Sequence, residues 1–453
     1  MLWGSIALGT GSRLRATIAG LTLLTGFGAS AQETVLVRAG RLFDSERAVL
    51  LPSRDILVRD GRVERVAEHI KAPPEARILD LSAFTVLPGL VDAHSHLLME
   101  HPGDEGSGET SVREIVREGD ALRALRGAAR AKTYLDAGFT SLRDLGNSGR
   151  FGDVALRRVL AEGGLPGPRL FVSGPGLAPP GGQLDGVLPE HQGIVAHEYR
   201  VVRGADDARA AVREAVVQEV DQIKLYANAS PNRALLSVEE MRAIVEEAAL
   251  VGLAVTAHAT TDLAINRALD AGVRVIEHGR GAEPATLARM KQVGAVLVLT
   301  EAGRDLLAVD MARLPVERRP AQARLDALLA QARARVAGAL KADVPIAFGS
   351  DIYIDFGIPR GSAVLLALRA YVDGGMTPAQ ALRSATYTAG KLIGNGRVGT
   401  LTSGAYADLI AVDGDPTRSL EALGSLRCVV LGGRVQPTPT STCGLEGVAA
   451  LKP

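Results

Sequence analysis

Leu87-Pro88-Gly89-Leu90-Val91-Asp92-Ala93-His94-Ser95-His96 is the stretch on which the fold turns. The apolar run 86–96 has strand character, and it ends in two histidines. An open nucleotide-binding sheet would place a Gly-rich phosphate loop there instead. Working outward, similar runs recur at 139–145, 169–173, 222–226, 253–258, 274–278, 295–300 and 345–351. Stretches of helical periodicity separate them, among them 112–136, 206–219, 238–250 and 320–341. Eight strands alternating with helices predict an α/β fold, a closed parallel (β/α)8 TIM barrel. The Gly/Pro-rich run 174–182 predicts a long loop after the third strand.

Both ends of the chain read differently. Short strand-like runs at 35–39, 56–58 and 63–66, with a turn signal at 59–62, are matched near the other end by 408–412 and 428–431. They predict one small β-sandwich domain built from both chain ends. The expected organisation begins with a signal peptide over 1–31, followed by the N-terminal strands of the sandwich over 32–88. The barrel would occupy 89–397 and the C-terminal strands of the sandwich 398–440, with a tail over 441–453. There is no internal repeat and no low-complexity tract.

Composition narrows the class of protein. Across 453 residues, 51 basic and 51 acidic side chains balance, which argues against nucleic-acid binding and against a polybasic membrane patch. With 47% hydrophobic and 23% charged residues the chain is globular, and at 4% aromatics its core must be aliphatic. Two cysteines exclude a disulfide scaffold and a cysteine-based zinc ribbon. Arg13 and Arg15, the apolar run 16–27 and Ala29-Ser30-Ala31 read as a secretory signal cleaved after Ala31. Export to the periplasm or medium is therefore expected, with no membrane association after cleavage. In an oxidising compartment Cys428 and Cys443 could pair or stay as thiols.

The C-terminal ends of barrel strands converge on the active site, so unusual polar residues there carry weight. His94 and His96 share one face of a strand, which suits two imidazoles on one metal ion. Lys224 lies near the end of the fourth strand, and Lys supplies only 7 of the 51 basic residues. Such a Lys either snorkels or pairs, or burial lowers its pKa until the free amine takes up carbon dioxide. The resulting carbamate would be an anionic, two-oxygen metal ligand. His258, His278 and Asp351 end the fifth, sixth and eighth strands. Each alone could be structural. Together, five strands deliver metal-competent groups at one end, a set suited to zinc or another divalent transition metal.

These residues resemble the amidohydrolase superfamily. The run 87–96 is similar to its first-strand signature, and Lys224, His258, His278 and Asp351 follow in its order. Ile223-Lys224-Leu225-Tyr226, 252–258 and Ile276-Glu277-His278-Gly279 resemble the branch of Xaa-Pro dipeptidases, carboxypeptidases, ochratoxinase and imidazolonepropionase-related proteins. The run 399–409 resembles the family's return to its small β domain. The resemblance implies two divalent metal ions, with zinc expected. His94, His96 and Asp351 would hold one and His258 and His278 the other, bridged by a carbamylated Lys224. A hydroxide between them is the implied nucleophile, with Asp351 as its proton acceptor. Tyr226 is implied to touch the substrate. Where relatives carry Gly-Gly-His after the third strand, this chain has Gly181-Gly182-Gln183, and Gln183 cannot carry a proton. His191 or His197 could substitute. His69 and His101 have no motif support.

The expected function is hydrolysis of an amide bond in a small molecule: a dipeptide, an N-acyl amino acid or a related xenobiotic. Lactone, carbamate or ester hydrolysis is a neighbouring alternative. A mononuclear deaminase and a non-catalytic scaffold are further ones. Oligomeric state is left open by the sequence.

Overall fold

The structure, a computed structural model, describes residues 33–102, 107–184, 186–230 and 233–443. The signal peptide expected over 1–31 lies outside them.

Eight parallel strands form the barrel, here numbered one to eight in chain order. They are Leu90–Ser95, Phe139–Asp144, Arg169–Val172, Gln222–Tyr226, Ala254–Ala259, Val275–His278, Val296–Leu299 and Ile346–Phe348. Strands one, two and four are buried at every position. That is why they read as continuous apolar runs rather than alternating ones. Beyond strand eight, Asp351 N–H donates to the His94 carbonyl at 2.8 Å, tying the last strand to the first. Asp221 N–H to Val172 O at 2.9 Å spans strands three and four. The helices start where their caps dictate. Ser237 and Glu240, for example, form a capping box at the head of Val238–Leu250.

Three local expectations differ from the structure. The run 86–96 is divided: Arg77–Pro88 belongs to the terminal sheet and Leu90–Ser95 to the barrel. Gly89 makes the crossing, and a Cβ there would sit 2.0 Å from Thr140 Oγ1. The segment 112–136 is two helices, Ser107–Arg117 and Asp120–Asp136, parted at Gly119, whose backbone is extended. The loop 174–182 contains a short strand, Gly176–Ala178, which prolongs strand three and pairs with strand four.

Both chain ends build one mixed eight-stranded sheet. Its seam is Arg77–Pro88 running antiparallel to Leu409–Val412. The sheet curls over its own core of Val37, Ile56, Val58, Leu81, Ala411 and Val430. Val63 and Gly61 of the far hairpin bond residues 404–407, which lead into Leu409–Val412. Cys428 and Cys443 are paired, with Cα atoms 5.5 Å apart. Among the described residues no helix is long and apolar enough to cross a membrane.

The disulfide closes a separation of 15 residues at the sheet's edge. Replacing Cys443 by Ser should cost about 3 kcal/mol by loop entropy. Denaturant unfolding should show the variant and the reduced wild-type protein coinciding at lower stability.

Candidate active site

His94 and His96 project from strand one into the barrel mouth, with Ser95 turned away to bond the Arg143 carbonyl. Both rings are held at Nδ1. His94 Nδ1 meets Glu277 Oε2 at 2.7 Å, and His96 Nδ1 meets the Gly146 carbonyl at 2.9 Å. A carboxylate and a carbonyl only accept, so each Nδ1 carries a proton, and a ring that is neutral turns its lone pair outward at Nε2. Those two Nε2 atoms approach to 3.2 Å. Asp351 Oδ1 lies 3.1 Å from His96 Nε2 and 3.5 Å from His94 Nε2. Three electron-pair donors facing one point repel one another unless a cation sits among them. The donor set therefore fits a metal ion.

The other half of the site follows around the barrel. His278 Nδ1 lies 2.8 Å from Thr300 Oγ1 and 3.6 Å from Asp351 Oδ2. The His258 and His278 ring centres are 4.6 Å apart, and those of His94 and His278 4.9 Å. His258 Nε2 is buried with no hydrogen-bond partner among the described residues, a cost that a coordinated ion would remove. His278 and Asp351 both have positive φ, 66° and 52°. Non-glycine residues rarely accept this, and such strain clusters at functional sites. Asp351 is held there by its bond to His94 O and by Ser350, whose N–H and hydroxyl both donate to Asp92.

Burial, reinforced by the Lys224 charge, lowers His94 to about 4. Burial also holds His258 and His278 well below the usual imidazole value. Burial works against charge at Asp351 too, but the surrounding histidines outweigh it and keep the carboxylate ionised. At His96 burial is outweighed by the Asp351 carboxylate, which raises the imidazole. Neutral rings at His94, His258 and His278 beside an ionised carboxylate are protonation states that metal binding requires.

Lys224 is buried on strand four, with no hydrogen bond or ion pair at its Nζ among the described residues. Its Nζ lies 5.3 Å from the centre of the Tyr226 ring. Burial lowers it to about 8, against the pull of Glu277 and Asp351. A fraction of the amine is therefore neutral near physiological pH. All six residues expected to be ligands line one cavity of about 850 Å³, together with Tyr226 and Gln183.

The substrate-side expectations fare differently. Tyr226 packs against His258 and Tyr199, with ring centres 5.2 and 5.4 Å away. Gln183 faces the cavity, but its amide links loops: Oε1 accepts from Ser230 N–H at 2.6 Å, and Nε2 donates to Asn228 O at 3.4 Å. His191 is exposed and His197 pairs with Asp120 at 2.9 Å; neither lines the cavity. His101, which no motif marked, does line it, 5.2 Å from the Tyr353 ring.

Sequence reasoning also missed the support. Glu277 is fully buried between His94 and Arg143, whose Nη2 lies 2.6 Å from Oε1, and Thr256 donates to the same oxygen. Its place next to the candidate ligand His278 in Ile276-Glu277-His278 was the available signal, since an acid in an all-buried strand needs a partner.

A model of the amidohydrolase family matches residues 85–435. The chain belongs to the amidohydrolase family. Ochratoxinase of Aspergillus niger is 29% identical over 370 residues, which span 76% of this chain and 73% of that protein. Imidazolonepropionase of Symbiobacterium thermophilum is 26% identical over 395 residues, covering 80% and 84%. A prolidase crystallised with N-methylphosphonate-L-proline superposes with TM-score 0.76 at 29% identity, over 89% of this chain and all of that one. As an amidohydrolase, this barrel is an enzyme that hydrolyses carbon–nitrogen bonds of small molecules.

Glu277→Gln tests the support. The neutral amide leaves Arg143 buried without its counter-charge and weakens the hold on His94. Zinc affinity, read by chelator competition, should fall about 10- to 100-fold. Stability in a thermal melt should fall by about 3 kcal/mol or more.

Proposed function

We propose that this amidohydrolase is an exported binuclear metalloenzyme that cleaves an amide bond in a dipeptide, an N-acyl amino acid or a related xenobiotic. The observation that carries the reading is Lys224: a buried amine without a counter-ion among the described residues, in one cavity with His94, His96, His258, His278 and Asp351. Such an amine is costly as an ammonium. As a carbamate it would join the two halves of the donor set. His94, His96 and Asp351 would hold one ion and His258 and His278 the second, with Lys224 between them. Nitrogen and oxygen donors suit zinc.

When bound, such ions supply Lewis acidity that activates water and polarises a carbonyl. The protein's own groups do the rest. Asp351, with one oxygen towards His96 and the other towards His278, is placed to accept the proton of the attacking water. It then returns that proton to the amide nitrogen as the C–N bond breaks. Tyr226, on the same face of strand four as Lys224, borders the substrate. Ochratoxinase and the prolidase among its relatives support an amide substrate. The Cys428–Cys443 bond supports export, because disulfides persist in oxidising compartments.

A mononuclear site is the second reading, because His94, His96 and Asp351 alone form a compact triad whose ligand atoms lie within 4.8 Å of one another. Metal analysis separates the two. About two ions per chain, with reconstitution that depends on bicarbonate, is the expected result; one ion per chain and no bicarbonate effect overturns the binuclear reading. Lys224→Ala should lose at least about 100-fold in activity along with its second ion. A screen of dipeptides, N-acyl amino acids, lactones and carbamates on zinc-loaded protein tests the substrate, and turnover confined to lactones or carbamates would overturn the amide assignment.

A further inference from the structure

Three arginines near the mouth hold backbone carbonyls of the segment that follows strand one. Arg360 donates to His96 O at 2.7 Å and to Met99 O at 3.0 Å, and Arg130 donates to Leu97 O at 2.8 Å. Both share Glu100 as counter-ion, and among the described residues their side chains hold that one segment. Arg123 joins three. It lies in the first turn of helix Asp120–Asp136, and only 2% of it is exposed. Its Nε donates to Leu98 O at 3.2 Å and its Nη2 to Asn147 O at 2.6 Å, while Nη1 and Nη2 face the two oxygens of Glu198. These partners belong to the connections that leave strands one, two and three. Burial opposes the charge on Arg123, and the buried Glu198 outweighs it and raises the guanidinium.

Each partner sits at or beside a residue of the cavity wall. Leu98 precedes Met99, Glu198 precedes Tyr199, and Asn147 is itself on the wall; Arg123 lies behind it. Leu98 O and Asn147 O lie outside helices and strands, where no ladder fixes them. Asn147 has a φ of 56°, a left-handed conformation that a non-glycine residue keeps only when its surroundings hold it. Here it is held twice. Arg123 takes its carbonyl, and its Nδ2 donates to the Tyr199 hydroxyl at 2.9 Å. The Tyr199 ring also supports the loop of Gln183, since a Cβ on Gly182 would stand 2.5 Å from Tyr199 Cδ2. A guanidinium carries five N–H donors in a rigid fork, so one side chain can serve several acceptors at fixed angles.

We infer that Arg123 is a positioning residue for substrate specificity: it fixes Met99, Asn147 and Tyr199 as one wall and so sets the size of the group that the cavity admits there. This rests on the amide-hydrolase reading for the choice of substrates, and goes beyond it by naming what controls their fit. None of the hydrogen bonds from Arg123 reaches a side chain of the metal-donor set among the described residues. Removing them should therefore change substrate fit and leave the donor set in place.

The test uses zinc-loaded full-length protein and N-acyl amino acids that share one amino acid and carry acyl groups of increasing size. Arg123→Ala should flatten the wild-type size preference in kcat/KM by about tenfold or more, through KM, with kcat for the best substrate within about threefold. Guanidinium ion at a low, non-denaturing concentration should restore part of that preference, and urea at the same concentration should not. A merely structural loss would lower kcat for every substrate alike and leave KM and the preference as they were. That result overturns the assignment, and so does an unchanged preference at full activity. If Arg123→Ala fails to fold, Arg123→Lys is compared with wild type by hydrogen-exchange mass spectrometry. The segments carrying Met99, Asn147 and Tyr199 should together exchange about tenfold faster while 254–278 stays unchanged. Uniform loosening, or no change in the three segments, overturns the assignment. If wild-type protein hydrolyses no member of the series, the amide-hydrolase reading fails, and the exchange measurement still decides the role of Arg123.

Discussion

One buried carboxylate organises this enzyme. Glu277 lies inside the barrel, where it receives His94 from strand one, Arg143 from strand two and Thr256 from strand five, while itself belonging to strand six. An acid with no solvent exposure survives only if its charge is matched, and Arg143 and His94 hold it ionised at about 2 although burial opposes this. The same contact fixes which nitrogen of His94 carries the proton. Barrel closure and the orientation of the His94 ring are thus one interaction seen from two sides.

Around that centre, the site is built by strand geometry and backbone strain together. Alternation along strand one turns His94 and His96 to the same side. Positive φ at His278 and Asp351 lets the ends of strands six and eight bend towards them. Gly349 allows the approach of strand eight, since a Cβ there would stand 2.6 Å from the Cβ of His94. The cost is met by hydrogen bonds from Ser350 to the buried Asp92, which burial raises to about 7.

Much of this was legible in the residues alone. The eight strands, the convergence of His94, His96, Lys224, His258, His278 and Asp351 on one cavity, and the terminal sheet drawn from both ends all follow from periodicity and strand-end chemistry. What was not legible depends on neighbours distant in sequence. The role of Glu277 required knowing that Arg143 lies across the barrel interior. His101 reaches the cavity wall because its backbone N–H bonds Tyr353 O at 2.7 Å, a contact between the loops after strands one and eight. Gln183 faces the cavity as expected, yet its amide is occupied by the loop after strand four, which no local pattern announces. The helix break at Gly119 was signalled by the glycine itself, but the apolar periodicity on either side masked it.

The seam between Arg77–Pro88 and Leu409–Val412 has a bearing on how the molecule comes into being. The strands that precede the barrel wait for those that follow it, so the whole barrel must be synthesised before its platform can close. Until then Arg77–Pro88 has an open flank, a surface that invites association with other chains. The bond from Cys428 to Cys443 belongs to the segment that follows the barrel. It would latch the sheet only once the barrel has been made, so oxidation there comes after the barrel's synthesis rather than before it.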